Sequence, residues 1–81
     1  MNDRPAKHSV TLNGHRTSVS LEPEFWAAFK AIAAGSGQAI NSLAAAIDAD
    51  RGDLGLASAI RLFILRHYQR RQSLGSGEND A

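Results

Sequence analysis

At Pro23 the side-chain period of this chain changes from two to about 3.6 and does not change back. Upstream, from His15 to Leu21, Arg16, Ser18 and Ser20 alternate with Thr17, Val19 and Leu21. As a strand, this puts a cation and two hydroxyls on one face and Thr17, Val19 and Leu21 on the other. The proline marks the boundary because it brings no ladder N–H yet suits the first turn of a helix. A single short strand feeding a helical chain is an incomplete object, since its backbone groups need a partner. Any fold the chain adopts has to supply one.

One candidate partner lies just upstream. Ser9-Val10-Thr11-Leu12 is β-prone and is separated from the strand by Asn13-Gly14. That pair favours a type I′ turn, which needs positive φ at both central positions. A hairpin of about residues 8–12 and 15–21 is one reading. The other leaves Val10 to Leu12 as a loose arm and pairs the strand elsewhere. Residues 1–7 read as a flexible N-terminal arm.

Three helices follow. The first spans residues 23–34: Glu22 and Glu24 suit its positive end, and Phe25, Trp26, Phe29, Ile32 and Ala33 form its apolar stripe. Gly35-Ser36-Gly37 stops it. The second spans residues 40–50, with Ile40, Leu43, Ala44 and Ile47 on one face; near its start only Asn41 offers a side-chain cap. The third spans residues 56–71 and is apolar over most of its girth, including Ile60, Leu62, Phe63, Ile64 and Leu65. A helix of that kind is buried on more than one side, which a short chain achieves most readily against a second copy of itself. Residues 73–81, with Gly75-Ser76-Gly77, read as a disordered tail.

Chemistry is scarce. With no cysteine in 81 residues, neither disulfides nor thiolate ligands staple the fold. His8, His15 and His67 fall on three different elements, and no metal site or other cofactor is expected. Gly35-Ser36-Gly37 is a helix stop and not a phosphate loop, and no serine or carboxylate is spaced as a nucleophile with a base. Nothing in the sequence argues for an enzyme, and no enzymatic activity is expected. No apolar run suits a membrane span or a signal peptide, so the expected location is the cytoplasm. The net charge of +1 hides a segregation. Glu22, Glu24, Asp48, Asp50 and Asp53 crowd the middle, whereas Arg61, Arg66, Arg70 and Arg71 share the last helix with no acid. An anionic partner fits that distribution, as does a solvated helix face.

The stretch Arg16-Thr17-Ser18-Val19-Ser20-Leu21-Glu22-Pro23-Glu24, the apolar run Phe29 to Ala33, the Gly37 turn and the helix Ile40 to Ile47 together resemble the ribbon-helix-helix family of small dimeric bacterial and phage repressors and antitoxins. The longer run from Gly14 to Trp26, with the basic helix ending at His67-Tyr68, is similar to a proteobacterial branch of that superfamily. The fold this implies is mainly α with a short N-terminal strand or hairpin: a ribbon-helix-helix domain over residues 8–72, with a third C-terminal helix, in an intertwined homodimer.

The resemblance also implies a function. Two copies pair their strands antiparallel, and the two-stranded ribbon enters the major groove of double-stranded DNA. By position, Arg16, Ser18 and Ser20 would contact bases, and Asn41, Ser42, Lys7 and His15 would contact phosphates. An outer hairpin strand could add contacts through Lys7 and His8. Thr17, Val19, Leu21, Trp26, Phe29, Leu43, Ile47, Ile60, Phe63 and Ile64 would form the dimer core. The expected protein is a sequence-specific transcriptional regulator. The alternative is an antitoxin-like or adaptor module that uses the fold to dimerise and binds a protein partner.

Overall fold

In the computed structural model, which describes residues 4–76, the strand's first partner is its own neighbour. β1 (Ala6–Leu12) and β2 (His15–Leu21) form an antiparallel hairpin, followed by α1 (Pro23–Gly35), α2 (Ile40–Asp50) and α3 (Leu56–Ser76). Asn13 and Gly14 take φ of 54° and 87°, the left-handed pair that a two-residue turn requires. The turn fixes the register: Leu12 faces His15, Val10 faces Thr17, His8 faces Val19 and Ala6 faces Leu21. β1 therefore starts at Ala6, inside the stretch expected to be a flexible arm, because the ladder runs to the far end of β2.

One face of the hairpin closes the core. Val10, Val19 and Leu21 meet Phe29, Ile32 and Ala33 of α1, Leu43, Ala44 and Ile47 of α2, and Ala59, Ile60 and Ile64 of α3. Leu21, Phe29 and Ile60 have no exposed surface at all. Each such side chain contributes roughly 1.5–3 kcal/mol by leaving water. Trp26 is half-buried; its ring stacks on His8 at 4.1 Å between centroids and 8° between planes.

The helix ends follow local chemistry. α1 closes in a Schellman arrangement: Gln38 N donates to Ala33 O at 2.9 Å and Gly37 N to Ala34 O at 3.1 Å, with Gly37 at φ 69°. α2 begins at Ala39 with no side-chain cap. Asn41, expected to provide one, sits inside the first turn, where its Oδ1 instead accepts from Thr11 N at 3.0 Å. α2 is thereby tied to β1. α3 continues to Ser76 where an end near Arg71 is expected from sequence, since no glycine or proline interrupts it between Gly55 and Gly75. The rest of the expected disordered tail, residues 77–81, lies outside the described residues.

The side chains assigned to a dimer core have a different first role. Val19, Leu21, Phe29, Leu43, Ile47, Ile60 and Ile64 are each 8% exposed or less within a single chain. The hairpin contributes to this, since β1 adds Val10 to the inner face and packs over α2, while the three helices pack on one another. Trp26 and Phe63 are half-buried, and Thr17 is exposed. What one chain leaves open is the outer side of α3 and its approach, where Leu54, Leu65 and Tyr68 are 43%, 50% and 40% exposed.

Candidate nucleic-acid interface

The register that closes the core also builds a second, polar face. Opposite the buried side, Lys7 faces Ser20, Ser9 faces Ser18 and Thr11 faces Arg16. Because side chains alternate across a strand, these six share one face. It carries two cations, four hydroxyls and no carboxylate. All six are exposed except Thr11, which is half-buried. Such a face suits an anionic surface lined with hydrogen-bonding groups. Lys7, assigned to phosphate from sequence, thus lies beside the three residues assigned to bases. Ser9 and Thr11 are the positions that sequence reading left out. The signal was Asn13-Gly14, because a two-residue turn dictates which side chains oppose Arg16 and Ser18.

The backbone edges of the hairpin differ. In a two-residue hairpin the residues flanking the turn exchange hydrogen bonds, so Leu12 and His15 point their backbone groups inward. By alternation, Thr17, Val19 and Leu21 do the same, while Arg16, Ser18 and Ser20 point theirs out from the free side of β2. The outer side of β1 is partly taken, since Thr11 N reaches Asn41 of α2. Among the described residues, the outward groups of Arg16 and Ser18 meet no backbone partner. β2 therefore presents an open edge directly beside the polar face.

At the end of that edge Arg61 ties α3 to the strand. Its Nε and Nη2 donate to Glu22 Oε1 at 3.0 and 2.8 Å, and Nη2 also donates to Ser20 O at 3.4 Å. The guanidinium lies 5.7 Å from the centre of the Phe25 ring. The hydrogen bond from Arg61 holds the Glu22 carboxyl below its ordinary pKa, with a backbone hydrogen bond acting in the same direction. Arg61 is thus a tether across the fold and not part of a free cationic helix face.

The other predicted positions scatter. Ser42 is exposed in the first turn of α2, whose N–H groups suit a phosphate, and Asn41 beside it has its oxygen engaged by β1. His15 is exposed at the hairpin tip but alternates onto the face opposite Arg16. His8 is also on the core side, against Trp26, and cannot join the polar face. Among the described residues no cluster of His, Cys, Asp and Glu forms a metal site, and no helix is long and apolar enough to cross a membrane.

A hairpin with an open polar edge, followed by two helices around a glycine turn, accounts for the family comparison: the ribbon-helix-helix domain matches residues 5–68. The chain belongs to the ribbon-helix-helix family. Neither a curated protein nor a solved structure matches it. Ribbon-helix-helix domains are in general DNA-binding regulators that dimerise, and the family is typically non-enzymatic. In this ribbon-helix-helix chain the matched span takes in β1 and most of α3, so both belong to the domain.

Proposed function

We propose that the protein is a homodimeric, sequence-specific DNA-binding repressor whose β2 strands pair across a two-fold axis and enter the major groove. The observation that supports this most directly is the pairing of an exposed, carboxylate-free face on β2 with an open backbone edge on the same strand. Pairing satisfies the outward groups of Arg16 and Ser18, and a two-stranded ribbon fits the groove. Arg16 supplies the discriminating contact, because a guanidinium can take guanine O6 and N7 together. Ser18 and Ser20 can donate or accept and discriminate less. The first turn of α2, with Ser42, meets a flanking phosphate.

The experiment is a selection of duplexes from a random pool, followed by fluorescence anisotropy of wild type and Arg16→Ala on the best duplex and a scrambled one. Arg16→Ala is expected to weaken the selected duplex by about 1–3 kcal/mol and to flatten the preference between the two. Equal affinities for both proteins on both duplexes would remove the ribbon-readout model.

A second reading, a protein-binding module, has one observation in its favour. Between α2 and α3 lies a groove of about 320 Å³, lined by Leu43, Ile47, Leu62 and Phe63 with Arg66 and Arg70 among its polar residues. That reading requires a stoichiometric protein partner and no salt-dependent retention on DNA.

A further inference from the structure

We infer that β1 is a phosphate rail: Lys7, Ser9 and Thr11 grip the DNA backbone along the groove walls while β2 alone reads bases. This rests on the DNA-binding reading above and adds a division of labour between the two strands. The width of the sheet carries the inference. Pairing two hairpins through their β2 edges gives the strand order β1-β2-β2-β1. At the usual strand spacing the β2 strands lie about 2.4 Å from the two-fold axis and the β1 strands about 7 Å from it. The major groove is only about 12 Å wide, so its walls stand about 6 Å from the centre. The β2 side chains fit within the groove and the β1 side chains fall on its rims.

What β1 offers matches what the rims present. Lys7 carries a charge, Ser9 and Thr11 carry hydroxyls, and all three share a face with Arg16, Ser18 and Ser20. Phosphate contacts from such groups fix the orientation of a protein on DNA without reading sequence. The Thr11–Asn41 hydrogen bond sets the same order from the other side. It fastens the first turn of α2 to the outer edge of β1, farther still from the axis. Moving outward, the molecule presents β2, then β1, then the N–H groups of α2, which is the order of bases followed by backbone. The tie also stiffens β1 against rotation away from the rim.

The test uses the full chain on the selected duplex and on a scrambled duplex of equal length, with affinities measured from 50 to 250 mM salt. Counterion release makes affinity fall steeply over roughly this range. Lys7→Ala removes two phosphate contacts per dimer. It is expected to reduce the slope of log K against log salt by about 1.8 and to weaken both duplexes by the same factor. Ser9→Ala is expected to weaken both duplexes equally and leave the slope unchanged, because it removes no charge. Both side chains are exposed, and matching circular dichroism and melting curves verify that the variants fold. If wild type binds while Lys7→Ala leaves slope and affinity intact, the rail is overturned and base reading by β2 stands. If Lys7→Ala changes the ratio between the duplexes, Lys7 reads bases and the division of labour is wrong. If wild type binds neither duplex, the DNA reading falls and the rail falls with it.

Discussion

Ser18→Pro isolates the open edge of β2 from the hairpin it belongs to. Ser18 is the middle of the three residues whose backbone groups point to the outer side of β2, where Ser20 O also accepts from Arg61, and it faces Ser9 without exchanging backbone hydrogen bonds with it. Proline is tolerated where a strand N–H faces away from the sheet, so the hairpin keeps its ladder. In a ribbon centred on Ser18, that residue pairs with its own copy, and Arg16 pairs with Ser20 on either side. Each such pair exchanges two hydrogen bonds, giving about six in the ribbon at roughly 1 kcal/mol each. The substitution deletes two donors. Dimerisation should weaken by about 2 kcal/mol, roughly 30-fold in the dissociation constant, before any clash of the ring is counted. Sedimentation equilibrium over a range of protein concentrations reads the constant, and far-UV circular dichroism with a melting curve reads the protomer. A folded variant with an unchanged dimer constant would refute pairing through β2. Loss of the hairpin itself would refute the assignment of Ser18 to the outward set.

Two further outcomes follow from the packing and the charges. Phe29 is wholly enclosed at the meeting of α1 with the other elements, so Phe29→Ala should cost about 3–5 kcal/mol in urea unfolding. A loss below about 1 kcal/mol would mean that this site is not a packed core. Glu22, held below its ordinary pKa by Arg61, makes stability depend on acid. Its contribution is complete above the carboxyl pKa of the unfolded chain and is lost as pH falls through the lower folded value. The stability gap between wild type and Glu22→Gln should therefore be constant near neutrality and close on acidification. Urea midpoints at a series of pH values would show this, and a gap that widened in acid would reverse the assignment.

Much of the molecule is written in local chemistry. The change of period at Pro23, the Gly37 stop and the 3.6-residue stripes of α1 and α2 place those helices closely, because each signal acts within a turn or two of chain. The family resemblance, read over about residues 15–51, agrees with the match over residues 5–68. Asn13-Gly14 also held the register of the hairpin, and with it the partnership of Lys7, Ser9 and Thr11 with Arg16, Ser18 and Ser20. Whether the hairpin forms at all was beyond local reasoning. A two-stranded hairpin is marginal alone, and here its stability comes from Val10 and Val19 packing on three helices.

The tertiary structure decided the rest for the same reason: each remaining contact joins residues far apart in sequence. Arg61 reads as one of four arginines on a basic helix until packing sets it beside Glu22 and Ser20. Asn41 reads as a helix cap until the outer edge of β1 offers it the Thr11 N–H. The apolar girth of α3 does not by itself say how much a single chain can cover. Packing of α3 on α1, α2 and β2 buries Ala59, Ile60 and Ile64 within a single chain and leaves Leu65 and Tyr68 exposed. Sequence determined which elements exist and which residues alternate. Packing determined which backbone edge was left open, because an edge is free only when no other element reaches it.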